Sequence, residues 1–309
     1  VRDQLLIAAL KAVPAPLARH LLFLLRSNPA IADAWGHHIR PIHFHEPLPD
    51  FREITTADAT RRRLPPAIDF DLPSQRALQA RLGAGYGAEV QALQGADGYD
   101  YRNGYFEGLD AAMYYALIRD LKPRRVIEIG SGFSTRVAAR AIECNRADGS
   151  PAELVCVEPF PQPRLTEAKL PITLVRERVE RLGLELFDGL QANDVLFIDS
   201  SHVATFGGDV CREFLEILPR LHRGVWIHVH DIFFPHDYPA DWLIELRQAW
   251  NEQYMLEAFL AFNTAFKPAL ALHWLWSDHR DELRASWPAS IVDAVGAQGP
   301  ASFWMTRIG

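Results

Sequence analysis

The chain has 309 residues, 49% hydrophobic and 23% charged, so it can bury a full core and is too apolar to remain disordered. Its net charge of −7 argues against a nucleic-acid binder, because phosphate recognition needs a clustered basic surface. Cys144, Cys156 and Cys211 are widely spaced with no CxxC, which speaks against a disulfide framework and a cysteine-built zinc site and makes a reducing cytoplasm the expected compartment.

In chain order, the first stretch to place is "LLIAALKAVPAPLARHLLFLLRS", which Lys11, Arg19, His20 and two prolines interrupt. No run reaches the roughly 18–20 apolar residues that span a bilayer, and no small-residue cleavage site follows a clean apolar core. We expect no membrane span here, but amphipathic helices packing on their own domain or on a second copy in a homodimer. Residues 1–34 read as helical. Residues 36–75 hold "RPIHFHEPLPDF" and "RRRLPPAIDFDLPS", whose prolines favour an extended wrapping segment. A helix is expected over "SQRALQARLGAGYGAEVQALQ", with Ser74 as its N-cap. The turn-rich "GADGYDYRNGYF" follows, then a helix through "LDAAMYYALIRDL". Residues 1–100 therefore read as an N-terminal cap and wrapping segment, and 101–309 as the main domain.

From Arg124 the chain alternates apolar runs with amphipathic segments. The runs are "RVIEIG", "ELVCVEP", "ITLVRE", "DVLFIDS" and "GVWIHVHD", and the alternation implies βαβ units on a parallel sheet. A long helical stretch, "ADWLIELRQAWNEQYMLEAFLAF", precedes two late strands in "PALALHWLW" and "SFWMTRI". The expected fold is α/β, Rossmann-like and doubly wound, with a mostly parallel seven-stranded sheet finished by an antiparallel edge strand.

In "VIEIGSGFST" an acidic residue closes the first strand, a G-x-G turn follows, and a hydroxyl residue opens a helix. The glycines permit a tight turn and close approach of a ligand, and the helix N-terminus offers free amides. A dinucleotide fingerprint wants G-x-G-x-x-G, but Thr135 stands where the third glycine or alanine would be. Glu128 at this turn would repel a pyrophosphate and attract a cation.

These residues resemble the class I S-adenosylmethionine-dependent methyltransferases, of the methyltransferase-24 type related to the catechol and macrolide-sugar O-methyltransferases. The resemblance covers about residues 100–309. It implies that Glu128 and the turn Gly130, Ser131, Gly132, with Ser134 opening the helix, hold the amino-acid end of the sulfonium cofactor. Glu158 in "VCVEP" would bind the ribose hydroxyls. Val179 and Glu180 in "RERVERL" would line the adenine, Asn103 and Tyr105 in "RNGYF" would lie over the cofactor, and Asp199 in "FID" would also bind the cofactor. The domain over 101–309 is then the cofactor-binding one.

In metal-dependent members of that group, an aspartate after the fourth strand and an acidic pair after the fifth hold magnesium against the acceptor's hydroxyls. The matching positions are Asp199, His230 and Asp231. His230 departs from the pattern, since imidazole suits zinc, iron, nickel or manganese better than magnesium. A metal-free route uses the same residues, with His202 or His230 as general base oriented by Asp199 or Asp231. Metal ligation, a metal-free base and a structural loop all stay open for "HVHDIFFPHDYP", as does substrate contact by His37, His38, His43 and His45 in the wrapping segment. The expected activity is methylation of a small hydroxylated natural product or sugar, most simply at oxygen. The rivals are an NAD-dependent or metal-dependent oxidoreductase on the same sheet and a catalytically silent binding module.

Overall fold

The computed structural model describes residues 2–96 and 99–309, so Asp97 and Gly98 of the expected turn lie outside the described residues. The chain divides into two units, Val1–Ile54 and Thr55–Gly309. The first holds helices Arg2–Lys11, Ala15–Ser27 and Pro29–Asp33, with Leu17, Leu21, Leu22 and Phe23 exposed. No single helix among the described residues is long and apolar enough to cross a membrane. His37, His38, His43 and His45 are exposed in this unit.

The division falls well before residue 100 because the helix Leu72–Gln91 is part of the second unit. Gln75, fully buried, accepts the Ala271 amide at 2.7 Å, and a Cβ on Gly83 would overlap the backbone of Ser286. Asp71 caps this helix rather than Ser74, whose amide and hydroxyl both donate to the Asp71 carboxylate at 3.3 and 2.7 Å.

The second unit is built on one sheet. Its strands are β1 (Arg125–Ile129), β2 (Glu153–Val157), β3 (Thr173–Val175), β4 (Val195–Ile198), β5 (Trp226–Val229), β6 (Phe266–Ala271) and β7 (Phe303–Arg307). They lie in the order β3-β2-β1-β4-β5-β7-β6. The first five are parallel, and β7 runs antiparallel to both β5 and β6. The reversed strand thus sits one in from the edge. Side-chain alternation along the strands sends Val126, Leu154, Val195 and Phe197 to one core and Ile127, Val155, Leu196 and Ile227 to the other. The helix Gly108–Leu121 is apolar nearly all round and lies inside the first core, as a helix without a polar face must.

Two elements differ from expectation. The strand expected over "PALALHWLW" ends at Ala271, where pairing with Phe303 stops, and Leu272–Asp278 coils into a helix. The long helical stretch after β5 is two short helices, Ala240–Ile244 and Glu252–Leu260, and the residues between them carry part of the site.

Candidate active site

Strand order reverses between β1 and β4, since the chain leaves β1 for β2 on one side and returns to β4 on the other. A crevice therefore opens beyond the carboxyl ends of these strands. Gly130 turns the chain there with φ +81°, and a Cβ at this position would overlap the Asp199 carbonyl. Its amide donates to the Val157 carbonyl at 3.0 Å, and the Asp199 amide donates to Ile129 at 2.9 Å. Glu158 is fixed by two backbone donors, Ser131 at 3.2 Å and Phe160 at 2.8 Å. The resulting cavity of about 310 Å³ is lined by Gly130, Glu158, Phe160, Val179, Glu180 and Asp199. The Arg178 guanidinium lies over the Phe160 ring at 5.6 Å and is 3.7 Å from Glu180.

Other residues singled out in the sequence stand elsewhere. Glu128 is fully buried, accepting from Thr135 Oγ1 at 2.6 Å and Tyr114 OH at 3.1 Å, and burial pushes its carboxyl up to about 7. It lines neither this cavity nor the next one. Its carboxylate ties β1 to the start of the helix Phe133–Ala147, where Ser134 is also buried. The Asn103 side chain closes its own loop, accepting the Tyr105 and Phe106 amides at 2.9 Å each. Tyr105 stacks on Phe133 with ring centroids 5.7 Å apart.

A second cavity, of about 410 Å³, is lined by Tyr105, Asp110, His230, Asp231, Trp242 and Trp250 among others. At the seam between the cavities stand Asp199, lining the first, and Asp231, lining the second. His202 joins them, its Nε2 3.3 Å from Asp199 Oδ1 and 3.6 Å from Asp231 Oδ2. Its Nδ1 is 2.8 Å from Oε2 of the fully buried Glu252. One ligand atom from each of Asp199, His202 and Asp231 falls within 4.8 Å of the others. His202 and Asp231 are both left-handed, at φ +61° and +55°, a conformation that costs non-glycine residues free energy and recurs at functional sites.

His230 was expected in this trio, and His202 takes its place. His230 Nε2 is 3.9 Å from Asp231 Oδ1, while its ring packs on Phe106 and His228 at 5.2 and 5.4 Å, because it continues the inward face of β5. His228 is a core residue, stacked on Phe197 at 4.1 Å and bonded to Ser302 Oγ at 2.9 Å. Burial drives its pKa well below the usual histidine value.

Acid exceeds base around the seam. Burial pushes Asp231, Glu252 and Asp110 upward. Burial acts on Asp199 in the same direction, but the charges of His230 and His202 outweigh it and hold that carboxyl at about 2. Burial pulls His202 down, yet its bonds to Asp199 and Glu252 carry it well above the usual value. Such a cluster attracts a cation. Two carboxylates and one imidazole, the latter backed by a buried carboxylate, make a donor set that suits manganese, iron, cobalt or zinc better than magnesium.

A parallel sheet with a glycine turn over its switch point, an acid after β2 and a polar cluster after β4 and β5 is the arrangement that the resemblance to class I S-adenosylmethionine-dependent methyltransferases implies. Residues 127–232, from β1 to just past β5, match the family model described as a methyltransferase domain.

A curated relative, an uncharacterized protein of Archaeoglobus fulgidus, is 26% identical over 166 residues, covering 50% of this chain and 74% of its own. Among solved structures, an O-methyltransferase from Bacillus cereus in complex with S-adenosylhomocysteine is similar at 15% identity. It covers 76% of this chain and 91% of its own, with a TM-score of 0.40. The TDP-rhamnose 3'-O-methyltransferase of calicheamicin biosynthesis is similar at 14% identity over 79% of this chain and 98% of its own, with a TM-score of 0.44.

Proposed function

We propose that this domain transfers a methyl group from S-adenosylmethionine to a hydroxyl of a small acceptor, with a divalent cation at Asp199, His202 and Asp231. One observation carries this reading: the three ligand atoms sit at the seam where the Glu158 cavity meets the aromatic-walled one. Glu158 is oriented to accept from the two ribose hydroxyls. Phe160, Val179 and Arg178 form the wall for the adenine, while Gly130 and Ser131 supply the close backbone approach that the amino-acid end of the cofactor needs. In this assignment Glu128 stiffens the glycine turn rather than meeting the cofactor.

Methyl transfer is an in-line displacement at an already activated sulfonium carbon, so the protein must align the acceptor and relieve it of one proton. A cation at the seam would lower the pKa of a bound hydroxyl. Asp231 and His230 reach the acceptor side, and Asp231, or His230 in its neutral form, can take the proton from an aligned hydroxyl. Trp250, packed on His202 with ring centroids 4.4 Å apart, shields the seam from water.

Transfer of radiolabelled methyl from S-adenosylmethionine to a panel of hydroxylated acceptors, run with manganese and with chelator, tests the reading. Metal-stimulated product from the native chain and none from Asp231→Asn, with S-adenosylhomocysteine binding retained in that variant, is the expected result. Equal turnover with chelator would remove the metal, and undiminished turnover in the variant would remove Asp231.

A further inference from the structure

The helix Ala15–Ser27 buries none of its side chains. Leu17, Leu21 and Leu24 fall at i, i+4 and i+7 and so form one stripe along it, and they are 60%, 55% and 43% exposed. Arg19 and Arg26, seven residues apart, stand on the opposite side of the same helix and are also exposed. In the helix Arg2–Lys11, Leu5, Leu6, Ile7 and Leu10 are exposed as well. Bare apolar side chains contiguous over two helices mark a surface that something covers.

Charge distinguishes what covers it. The chain has a net charge of −7, yet residues 4–32 contain no aspartate or glutamate and hold Lys11, Arg19, His20 and Arg26. The carboxylates that follow, Asp33, Glu46 and Asp50, are engaged by His38, Arg40 and Arg52, so among the described residues none of them pairs with Lys11, Arg19 or Arg26. A second copy docked through a two-fold axis would set the same uncompensated cations against one another. An anionic lipid surface instead takes leucines among its acyl chains and neutralises arginines at its headgroups. The two helices meet at 103°, and no single helix among the described residues is long and apolar enough to cross a membrane. That geometry suits a pair lying along an interface rather than crossing it.

We propose that the helices Arg2–Lys11 and Ala15–Ser27 dock on the surface of an anionic phospholipid bilayer. The stripe of Leu17, Leu21 and Leu24 enters between the acyl chains, while Lys11, Arg19 and Arg26 extend their apolar stems along the boundary and meet the phosphates. The unit that carries the sheet, joined to these helices through the chain, is thereby held at that surface. The inference does not depend on the methyl-transfer reading.

The test sediments the full chain with large vesicles of phosphatidylcholine alone and of phosphatidylcholine mixed equally with phosphatidylglycerol. The native chain should pellet with the anionic vesicles and bind the neutral ones about tenfold more weakly or not at all. Arg19→Gln combined with Arg26→Gln should lose about tenfold or more on the anionic vesicles, since each basic side chain near such a surface contributes roughly a fivefold gain in binding. Leu21→Asp should abolish binding to both. None of the three side chains is buried, so circular dichroism and the urea midpoint of each variant should match the native chain's. Equal binding to neutral and anionic vesicles, binding to neither, or undiminished binding by Leu21→Asp would overturn the proposal. A lipid-free native dimer that Leu21→Asp dissociates, read by analytical ultracentrifugation, would overturn it too and assign the stripe to a second copy.

Discussion

Replacing Glu252 by glutamine changes one atom and leaves the volume of the side chain alone, yet it should weaken metal binding. Glu252 is fully buried and its Oε2 lies 2.8 Å from His202 Nδ1, so Nδ1 carries the proton and Nε2 is left to face Asp199 and Asp231. The amides of Asn251 and Glu252 also donate to the His202 carbonyl, at 3.0 and 3.2 Å, so the imidazole is held from two directions and its backbone should not move. Only the charge behind the ring is lost. A carboxylate partner raises the basicity of a ligating histidine, and its loss costs about 10–100-fold in metal affinity, or ~1.4–2.8 kcal/mol. Glu252→Ala should cost as much and also lower stability by ~1–3 kcal/mol, because Nδ1 is left buried without a partner. Manganese titration by calorimetry reads the first effect and urea denaturation the second. Manganese affinity unchanged in Glu252→Gln would refute the argument that this carboxylate orients His202 for a cation.

Three other outcomes are expected. Glu158→Ala should weaken S-adenosylhomocysteine binding by about tenfold or more, since hydrogen bonds to a charged group contribute ~1.5–3 kcal/mol; calorimetry checks this. Gly130→Ala should abolish cofactor binding, because a Cβ there overlaps the Asp199 carbonyl at a positive φ; retention of full affinity by calorimetry would show that the turn relaxes. Glu128 sets a pH dependence. Its folded pKa of about 7 lies above the ordinary value of 4.5, so the fold binds a proton that the unfolded chain has released. Stability from this group is full below pH 4.5 and falls as pH rises toward 7, by ~3 kcal/mol at most. Glu128→Gln should flatten that part of the urea-midpoint profile.

The sheet was legible because parallel strands buried on both faces leave uninterrupted apolar runs, and because the glycine turn and the acid after β2 are local in sequence. Gly130, Glu158, Val179 and Glu180 were found on one cavity for that reason. The cluster of Asp199, His202 and Asp231 was only half legible. Asp199 follows directly on β4, where side-chain direction follows from register, but His202 and Asp231 reach the seam through left-handed residues that no periodicity announces. Glu252 was invisible for another reason: in "NEQYMLEAF" it reads as the solvent face of a helix, and only the break at residues 245–251 turns it inward. Trp242 and Trp250 were absorbed into a long expected helix and missed as walls of the second cavity. Phe160, two residues beyond Glu158, lines the same cavity and was missed.

The most direct test of the account is calorimetric titration of the purified chain with S-adenosylhomocysteine, with NAD as the parallel control. Micromolar binding of S-adenosylhomocysteine with no heat from NAD is the expected result. Binding of NAD alone would contradict the assignment of the Glu158 cavity and return the seam to an oxidoreductase.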